Sequence, residues 1–502
     1  MQYIPVIDLF AGPGGLGEGF SVFAQNPGFK IALSVEKELF AHQTLQLRAF
    51  FRQFPKGQAP DEYYDFLRGQ ISKQTLFKKF PKQFNQASLE AMYDELGGKN
   101  QTEIDNRIAK ILKGTKTWIL IGGPPCQAYS LVGRSRNKGN ENYEQDPRHI
   151  LYREYLRVIE YFRPPLFIME NVKGILSSKL NGTHIIHRII KDLKAHNYNI
   201  YSFVRPSSTD LFNECEQNPA SYVIQCEKYR IPQARHRLIL LGIRRDCNGV
   251  QIKSLQSHKA VKIRSVLDDL PKVRSGLSKN DSKEVWYNAV TGIEGASWLE
   301  DRKVSDELRD KILNKIAYVT KPQKDRGSEF IESDKLPIEL EDWFYDPRIG
   351  GVCNHTTRGH IEMDLHRYFF ASCFAEVENR SPVLADFPEK LLPKHKNAKA
   401  AIADGSLFSD RFRVQLADRP STTVTSHISK DGHYYIHYDP TQCRSLTVRE
   451  AARLQTFPDN YFFCGPRTAQ YQQVGNAVPP YLAYQIADIV WDILKQSGLL
   501  KK

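Results

Sequence analysis

The sequence predicts an α/β protein with a doubly wound fold, on three observations. Short apolar runs typical of buried parallel strands recur in the first half of the chain. A glycine-rich turn follows the first run and leads into a segment with helical character. Near the other end, Gln473–Leu494 combines a glycine turn with apolar residues at helical spacing, which predicts a helix packed on a core.

Length and composition limit the class of protein. A chain of 502 residues predicts two domains or one large domain with insertions, and 41% hydrophobic with 25% charged residues is an ordinary folded composition. Lys and Arg outnumber Asp and Glu by 70 to 57, and the formal net charge of +13 favours a polyanionic partner such as nucleic acid. A merely basic enzyme would show the same excess.

Cysteine spacing and hydropathy indicate the compartment. The eight cysteines are scattered and form no C-x-x-C pair, so neither a disulfide framework nor a zinc ribbon is expected. We find no apolar run of membrane-spanning length and no signal peptide in the sequence. A cytoplasmic protein with reduced thiols, no metal and no membrane partner is therefore predicted.

The first strand and its turn predict a nucleotide-type pocket. Tyr3–Phe10 is an apolar run, and Gly12, Gly14 and Gly17 after it satisfy G-x-G-x-x-G. Pro13 lies inside this turn and supplies no N–H, which disfavours a pyrophosphate ligand. The turn alone does not choose between NAD and S-adenosylmethionine.

A second apolar run, Lys30–Glu38, predicts the next strand. Glu36 lies about twenty residues beyond the turn, where doubly wound folds place a carboxylate on the ribose hydroxyls. A solvent-facing glutamate is the simpler alternative. Residues 51–115 are charged and helix-prone with few strand signals, and we interpret them as an insertion.

The segment GGPPCQAYS, Gly122–Ser130, places Cys126 after two prolines and an apolar run. Such a thiol is either small buried filler or a nucleophile held for reaction. Five further segments occur with it in the chain. In chain order, the six motifs are DLFAGPGGLGEGF, GGPPCQAYS, MENVKG, QARHRLIL, RPSTTVTS and QVGNAVPP.

Together these six motifs resemble those of the cytosine-C5 DNA methyltransferases. The resemblance covers the first 45 or so residues, then roughly 117–245 and 411–485. It implies a discontinuous, Rossmann-like catalytic domain formed by residues 1–245 and 411–502, with a smaller target-recognition domain, 246–410, inserted between them. Arg230 departs from the pattern, because the family usually has glycine at that position.

The chemistry of cytosine methylation also requires these residue types. C5 of cytosine is too weak a nucleophile until a thiolate adds to C6, and Cys126 can supply that thiolate if nearby positive charge lowers its pKa from the usual value near 8.5. Glu170 ends an apolar run and could donate a proton or hydrogen bond to N3. Arg235 and Arg237 would approach the base O2 or a phosphate, and the resemblance assigns O2 to Arg237. Two salt-bridging arginines are the alternative.

The resemblance further implies S-adenosyl-L-methionine as methyl donor and S-adenosyl-L-homocysteine as product. It does not locate the acidic residue that contacts the adenine, but its other motif positions give the cofactor-binding set Phe10, Ala11, Gly12, Gly14, Gly15, Leu16, Glu36, Pro124, Leu151, Asn476 and Val478.

Double-stranded DNA is the predicted substrate, with the target cytosine flipped out of the helix to reach Cys126. Polar and basic segments in the motifs and the middle domain, including HTTRGH at 355–360, offer donors for phosphates and base edges. The DNA-binding set is Gln127, Ser130, Arg134, Arg358, Arg419 and Thr422.

The biological role predicted is restriction–modification or phage defence, by a monomer in the bacterial cytoplasm near the nucleoid, with restriction or defence proteins as partners. Three alternatives stand beside it: a tRNA cytosine-5 methyltransferase, a catalytically idle DNA-binding module, and an NAD oxidoreductase. The last explains neither PPCQ nor ENV, and the long middle domain favours DNA over RNA. The recognition sequence does not follow from these residues.

Overall fold

A computed structural model of the chain describes residues 3–124, 147–180, 183–205, 218–247, 249–321, 325–393 and 409–500. The chain divides into two compact units. We call Met1–Ala59, Phe77–Lys259 and Ala477–Lys502 the sheet unit, and Pro60–Leu76 with Ala260–Asn476 the second unit.

Helices separate the first five strands of the chain. The strands are β1 (Ile4–Leu9), β2 (Phe29–Glu36), β3 (Ala91–Tyr93), β4 (Ile119–Gly122), β5 (Leu166–Val172), β6 (Lys179–Leu180), β7 (Thr183–His184), β8 (Tyr198–Tyr201), β9 (Val223–Gln225), β10 (Gln233–Ala234), β11 (His236–Arg244), β12 (Gly276–Leu277), β13 (Phe330–Glu332), β14 (Gly351–Cys353), β15 (Gly359–His360) and β16 (Ser421–Thr422). The α-helices are α1 (Gly15–Ser21), α2 (Leu39–Arg52), α3 (Asp61–Leu67), α4 (Lys73–Lys79), α5 (Pro81–Glu90), α6 (Gln101–Leu112), α7 (Pro147–Phe162), α8 (Ile185–Ala195), α9 (Arg264–Leu267), α10 (Lys283–Thr291), α11 (Asp306–Ala317), α12 (Glu341–Phe344), α13 (Glu362–Glu378), α14 (Val448–Leu454), α15 (Arg467–Asn476) and α16 (Pro480–Gln496).

The sheet unit is built on one large sheet, in which the described residues place eight strands. Seven follow the order β3-β2-β1-β4-β5-β11-β8, and β9 pairs with β11. The strands from β3 to β5 are parallel to their neighbours, while β11 runs antiparallel to β5, β8 and β9. Because β1 lies between β2 and β4, the strand order reverses there, and ligands of doubly wound folds bind at the carboxyl ends of such strands. The predicted α/β, Rossmann-like fold class is confirmed.

Both faces of this sheet are covered by apolar side chains. Along β4, Ile119 and Ile121 belong to the core on one face, whereas Leu120 belongs to the core on the other. This alternation follows from the two-residue period of a strand. The helix predicted at the end of the chain is confirmed as α16, and its apolar stripe is at most 5% exposed at Leu482, Ile486, Ile489, Val490 and Ile493.

The insertion predicted over 51–115 does not extend over that whole segment. β3 pairs with β2 in parallel as an edge strand of the main sheet. Ile104 and Ile108 of α6 are fully buried in the core of the sheet unit. A strand of three residues is too short to leave a periodic signal, which is why the sequence did not predict it.

The second unit has its own core around α13, with Trp286 and Trp298 buried against it. Its boundaries are 260 and 476, together with residues 60–76, and the bounds of 246–410 for target recognition stay a prediction. Which of its residues recognise DNA stays a prediction. Among the described residues, none of the helices is both long and apolar enough to cross a membrane.

Candidate active site

The turn after β1 is held open by backbone geometry that glycine permits. Gly12 and Gly14 have φ of +58° and +94°, and Phe10 before them has φ of +57°. The amide of Gly12 donates to Glu36 Oε2 at 2.7 Å, and the amide of Ala11 donates to the carbonyl of Val35 at 3.2 Å. The turn is thus fixed to the end of β2, with space above Gly12, where a Cβ would meet no atom within 4 Å.

Two of the later glycines serve packing. A Cβ on Gly15 would lie 2.1 Å from the carbonyl oxygen of Val478, and one on Gly19 would lie 2.4 Å from the amide of Tyr484. α1 therefore contacts the segment leading into α16 and α16 itself at backbone distance. This places Val478, a predicted cofactor residue, directly against the turn. Leu16 is 6% exposed and packs in the core, so only its backbone can face a ligand.

Glu36 ends β2 and is 9% exposed. Its Oε1 accepts the amide of Glu38 at 2.7 Å, while its Oε2 accepts the amide of Gly12. Burial raises the pKa of this carboxyl, and the two amides oppose the shift. Each carboxylate oxygen can accept a second hydrogen bond, which leaves Glu36 able to bind hydroxyl groups.

Asp94 directly follows β3 and is an acidic residue that the sequence could not place. Its amide donates to the carbonyl of Glu36 at 3.2 Å, and its carboxylate accepts from the amide of Glu95 and from Asn100 Nδ2. Two carboxylates thus stand at the ends of the adjacent strands β2 and β3. Recognition of β3 as a strand is what locates this residue.

Asp8 lies in β1 just before the turn and is 1% exposed. Neither carboxylate oxygen has a hydrogen bond of good geometry among the described residues, although the backbone amide of Gly17 lies near enough to lower the pKa of Asp8 slightly. Burial raises the pKa of Asp8 from 3.8 to about 8; Arg52 opposes this shift and Glu36 adds to it. Because Asp8 lies within an apolar run, the sequence pattern did not indicate a carboxyl group with a raised pKa.

Glu170 and Arg237 form an ion pair at the ends of neighbouring strands. Arg237 Nε lies 3.0 Å from Glu170 Oε1, and both side chains are nearly buried. Burial raises the pKa of Glu170, while Arg237 and then Arg235 lower it. A Cβ on Gly123 would lie 2.8 Å from Glu170 Oε2, so an alanine there would require the end of this side chain to shift. The two residues predicted to act on the base are therefore brought together.

The two predicted arginines differ in surroundings. Arg235 is fully buried, and its Nη2 donates to the carbonyl of Ala477 at 2.8 Å, which ties it to the segment before α16. Arg237 instead lies beside Glu170 and donates Nη1 to the carbonyl of His236. Arg230 stands where the family usually has glycine, and its φ is +60°. This is the left-handed backbone conformation that glycine favours, so the conformation is kept although the residue differs.

Asn171 positions the approach to the predicted nucleophile. Its Nδ2 donates to the carbonyl of Pro124 at 3.4 Å, and its Oδ1 accepts the amide of Val172 at 2.8 Å. Pro124 is buried, and Leu151 lies on α7 at 9% exposure. Cys126, Gln127, Ser130 and Arg134 lie outside the described residues.

The remaining predicted residues lie in the second unit. Asn476 is exposed at the end of α15. Arg419 is exposed and donates to Asn379, and Thr422 donates its amide and hydroxyl to Gln415 Oε1 at 2.9 and 3.1 Å. Arg358 is 8% exposed.

The HTTRGH segment lies largely inside the second unit. His355 is fully buried between Thr447 Oγ1 and the carbonyl of Pro271, each at 2.8 Å. Arg358 donates to the carbonyls of Ile428 and Lys430 at 2.6 and 2.9 Å. These donors are engaged within the unit, so the geometry gives no support to their expected contact with base edges.

The sequence of the chain is similar to those of known proteins. Residues 82–491 match the family model of the C-5 cytosine-specific DNA methylases. The chain is 35% identical over 512 residues to the type II methyltransferase M.Bpa9945I of Bacillus paralicheniformis, which covers 97% of this chain and 99% of that protein. It is 26% identical over 502 residues to the type II methyltransferase M.DdeI of Desulfomicrobium norvegicum, covering 97% and 88%.

A solved structure also resembles this fold. A DNA modification methyltransferase encoded within a prophage, from E. coli, superposes with a TM-score of 0.52 at 19% identity and covers 98% of this chain and 99% of its own. That likeness concerns the fold alone. With the family matched over most of the sequence and a relative of this identity along its whole length, the chain belongs to the C-5 cytosine-specific DNA methylases.

Proposed function

We propose that this protein transfers a methyl group from S-adenosyl-L-methionine to C5 of a cytosine flipped out of duplex DNA, with Cys126 as nucleophile. The observation that carries the proposal is the Glu170–Arg237 pair at 3.0 Å, at the ends of β5 and β11. β4 lies beside β5 and leads through Gly123 and Pro124 toward Cys126. The acid and the cation thus lie at the ends of two adjacent strands, and Cys126 follows the next strand, β4, in the sequence.

The sheet unit fits the methyl donor better than a dinucleotide. Space above Gly12 and a carboxylate on Glu36 suit an adenosine, and Asp94 offers a second acceptor for the adenine amino group. Pro13 leaves the turn without one of the amides that a pyrophosphate would use. Val478 against Gly15 would close the pocket, and the bound donor would supply an electrophilic methyl group. Phe10, Ala11, Leu16 and Leu151 are the other proposed cofactor residues of the sheet unit, and Asn476 of the second unit stays a prediction.

The proposed reaction uses the described groups as follows. The Cys126 thiolate adds to C6, and the electron pair that develops on the ring is stabilised as the Glu170 carboxyl donates to N3. Arg237 donates to O2 and keeps Glu170 in place. C5 then takes the methyl group, and S-adenosyl-L-homocysteine is the leaving group. Solvent removes the C5 proton, the C6–S bond breaks to release the Cys126 thiolate, and N3 returns its proton to Glu170. Arg235, bonded to Ala477, acts as a support for this arrangement.

We also propose that the second unit and the segment after Cys126 recognise DNA. Arg419 and Thr422 remain proposed contacts, with Gln127, Ser130 and Arg134. Since the full-length relatives are named type II methyltransferases, we assign this protein to the modification half of a restriction–modification system, with a cognate nuclease as partner.

The decisive test is covalent trapping. Duplexes in which 5-fluorocytosine replaces the target cytosine should form a covalent complex with the wild-type protein and the methyl donor, because fluorine cannot leave as a proton does. Cys126→Ser should form none and should transfer no methyl group, while still binding S-adenosyl-L-methionine. Cys247→Ser, a buried cysteine of the same unit, is the matched control and should trap normally. Undiminished turnover by Cys126→Ser would refute the nucleophile.

The product test separates the substrates. Bisulfite sequencing of DNA from cells expressing the protein should show 5-methylcytosine at one short sequence. The 5-fluorocytosine duplex of the trapping test should contain that sequence. Methylation confined to tRNA, with none in DNA, would contradict the proposal.

A further inference from the structure

A cleft of about 340 Å³ lies within the second unit. Three cationic residues line it: Arg358, Lys430 and Arg467. Arg467 and Thr468 are the first residues of α15, so the partial positive charge of a helix N-terminus adds to this side of the cleft.

None of the three cations forms an ion pair with any described residue. Arg358 uses two nitrogens on the neutral carbonyls of Ile428 and Lys430, and its Nε is buried without a partner among the described residues. Arg467 donates Nη1 to the carbonyl of Thr357 at 2.7 Å. Lys430 is exposed, and the hydrogen bonds of its residue use backbone atoms. Their positive charge is therefore not compensated within this part of the chain.

The acidic residues of the cleft are paired elsewhere. Asp364 accepts from Arg367 at 2.7 Å, and Asp431 accepts from Arg411 at 3.1 Å. Each of these ion pairs already balances one charge. The cleft thus has an excess of positive charge even though carboxylates line it.

Two histidines in the wall add no countercharge. His360 and His433 are mostly buried, and the hydroxyl of Tyr368 lies 2.7 Å from His433 Nδ1. Burial lowers the pKa of both, and Arg358 lowers that of His360 further. Neutral imidazoles leave the three cations to determine what the cleft binds.

A second, larger cleft of about 900 Å³ in the same unit shows the opposite arrangement. Its Lys311 and Lys315 both pair with Glu376, at 2.9 and 2.8 Å, and Arg444 pairs with Glu450 at 2.6 Å. Uncompensated charge is thus a property of the smaller cleft and not of every cationic cleft in the unit.

We propose that the cleft lined by Arg358, Lys430 and Arg467 binds a phosphate of the DNA backbone. Lys430 supplies a mobile charge at the rim, and the two arginines supply fixed charge inside. Such contacts position a protein on the duplex without selecting its sequence. The inference rests on the proposed function, because it takes the anion to be part of the duplex that is methylated.

The test is the salt dependence of DNA affinity. For each phosphate neutralised by a protein cation, the slope of log affinity against log salt concentration is about 0.9 steeper. Lys430→Ala should therefore reduce the slope by about 0.9, and a fourfold rise in salt should weaken this variant about three- to fourfold less than the wild type. In the part of the chain that the structure describes, the Lys430 side chain makes no hydrogen bond or ion pair, so this variant should fold normally. Lys311→Ala, from the larger cleft, is the matched control and should keep the wild-type slope.

Three outcomes are informative. A Lys430→Ala slope equal to that of the wild type overturns the inference, even when 5-fluorocytosine trapping upholds the proposed function. Binding of inorganic phosphate that depends on Lys430, with no change in the DNA slope, also overturns it and identifies a free-phosphate site. Two results together support the inference. The slope for Lys430→Ala is reduced, and replacing one phosphate by a neutral methylphosphonate lowers DNA affinity less in Lys430→Ala than in the wild type.

Discussion

Arg237 Nε lies 3.0 Å from Glu170 Oε1, and this contact opposes the effect of burial on the carboxyl group. In the β5–β11 register Glu170 is opposite Ile239, and Arg237 is opposite Val172, so the arginine reaches along the strands to its partner. Burial raises the pKa of Glu170 and Arg237 lowers it. Arg237 thus limits the rise that burial causes in the pKa of Glu170.

Replacing Arg237 by Met should move the alkaline limb of the pH–rate profile to higher pH. Activity needs the protonated carboxyl of Glu170, so it is present below the pKa of that group and lost as pH rises through it. Removing the arginine removes an influence that lowers this pKa. The overall rate should also fall, because O2 loses its donor.

The measurement is kcat against pH for the wild type, for Arg237→Met and for Arg153→Met. Arg153 is an exposed residue of α7, and its variant should keep the wild-type limb. An alkaline limb that stays in place, or moves to lower pH, in Arg237→Met would show that the arginine does not control the proton on Glu170.

Gly123→Ala should reduce methyl transfer far more than cofactor binding. The added Cβ would lie 2.8 Å from Glu170 Oε2, so the carboxylate must shift from the position it holds beside Arg237. A loss on the order of 10²-fold in kcat is expected, the usual contribution of a positioned acid. Gly292→Ala is the control, since a Cβ there meets no atom within 4 Å. Equal kcat for Gly123→Ala and the wild type would contradict this account of the glycine.

Local patterns were sufficient where one periodicity or one motif determines the structure. The stripe from Leu482 to Ile493 predicted a buried helix, because apolar residues three and four apart share one helix face. Glu170 at the end of an apolar run predicted a group at a strand end, and the structure places Arg237 beside it. In both cases the local sequence alone predicts where the residue lies on its helix or strand.

Other features depend on residues far apart in the chain. β3 has three residues, and only its pairing with β2 makes it a strand and places Asp94 next to Glu36. The different surroundings of Arg235 and Arg237 arise because Ala477, more than 200 residues later, accepts from Arg235. The burial of HTTRGH likewise follows from contacts with Pro271 and Thr447.

Glu36→Gln should weaken binding of S-adenosyl-L-methionine by roughly tenfold or more, as loss of a buried, charge-assisted hydrogen bond implies. Glu36 accepts hydrogen bonds from the backbone amides of Gly12 and Glu38, one on each oxygen. The side-chain nitrogen of a glutamine donates and cannot accept, so one of these two amides would face another donor. Titration calorimetry measures the effect, with the exposed Glu38→Gln as the control. Unchanged affinity in Glu36→Gln would exclude the carboxylate from the pocket.

Asp8→Asn should make the protein less sensitive to rising pH. The carboxyl of Asp8 has an ordinary pKa of 3.8 and one of about 8 in the folded protein. Below the lower value both folded and unfolded chains are protonated. As pH rises between the two values, only the unfolded chain ionises, so the wild type loses stability by about 1.4 kcal/mol for each pH unit.

Asparagine cannot ionise and is spared this loss. Urea unfolding of the wild type and of Asp8→Asn should be compared at about pH 5 and about pH 7. Between these pH values, the unfolding free energy of the variant should rise by roughly 2–3 kcal/mol relative to that of the wild type. Glu160→Gln, at an exposed position of α7, should show no such change. A constant difference between wild type and Asp8→Asn would mean that Asp8 is ionised in the folded protein, with a partner that neutralises it.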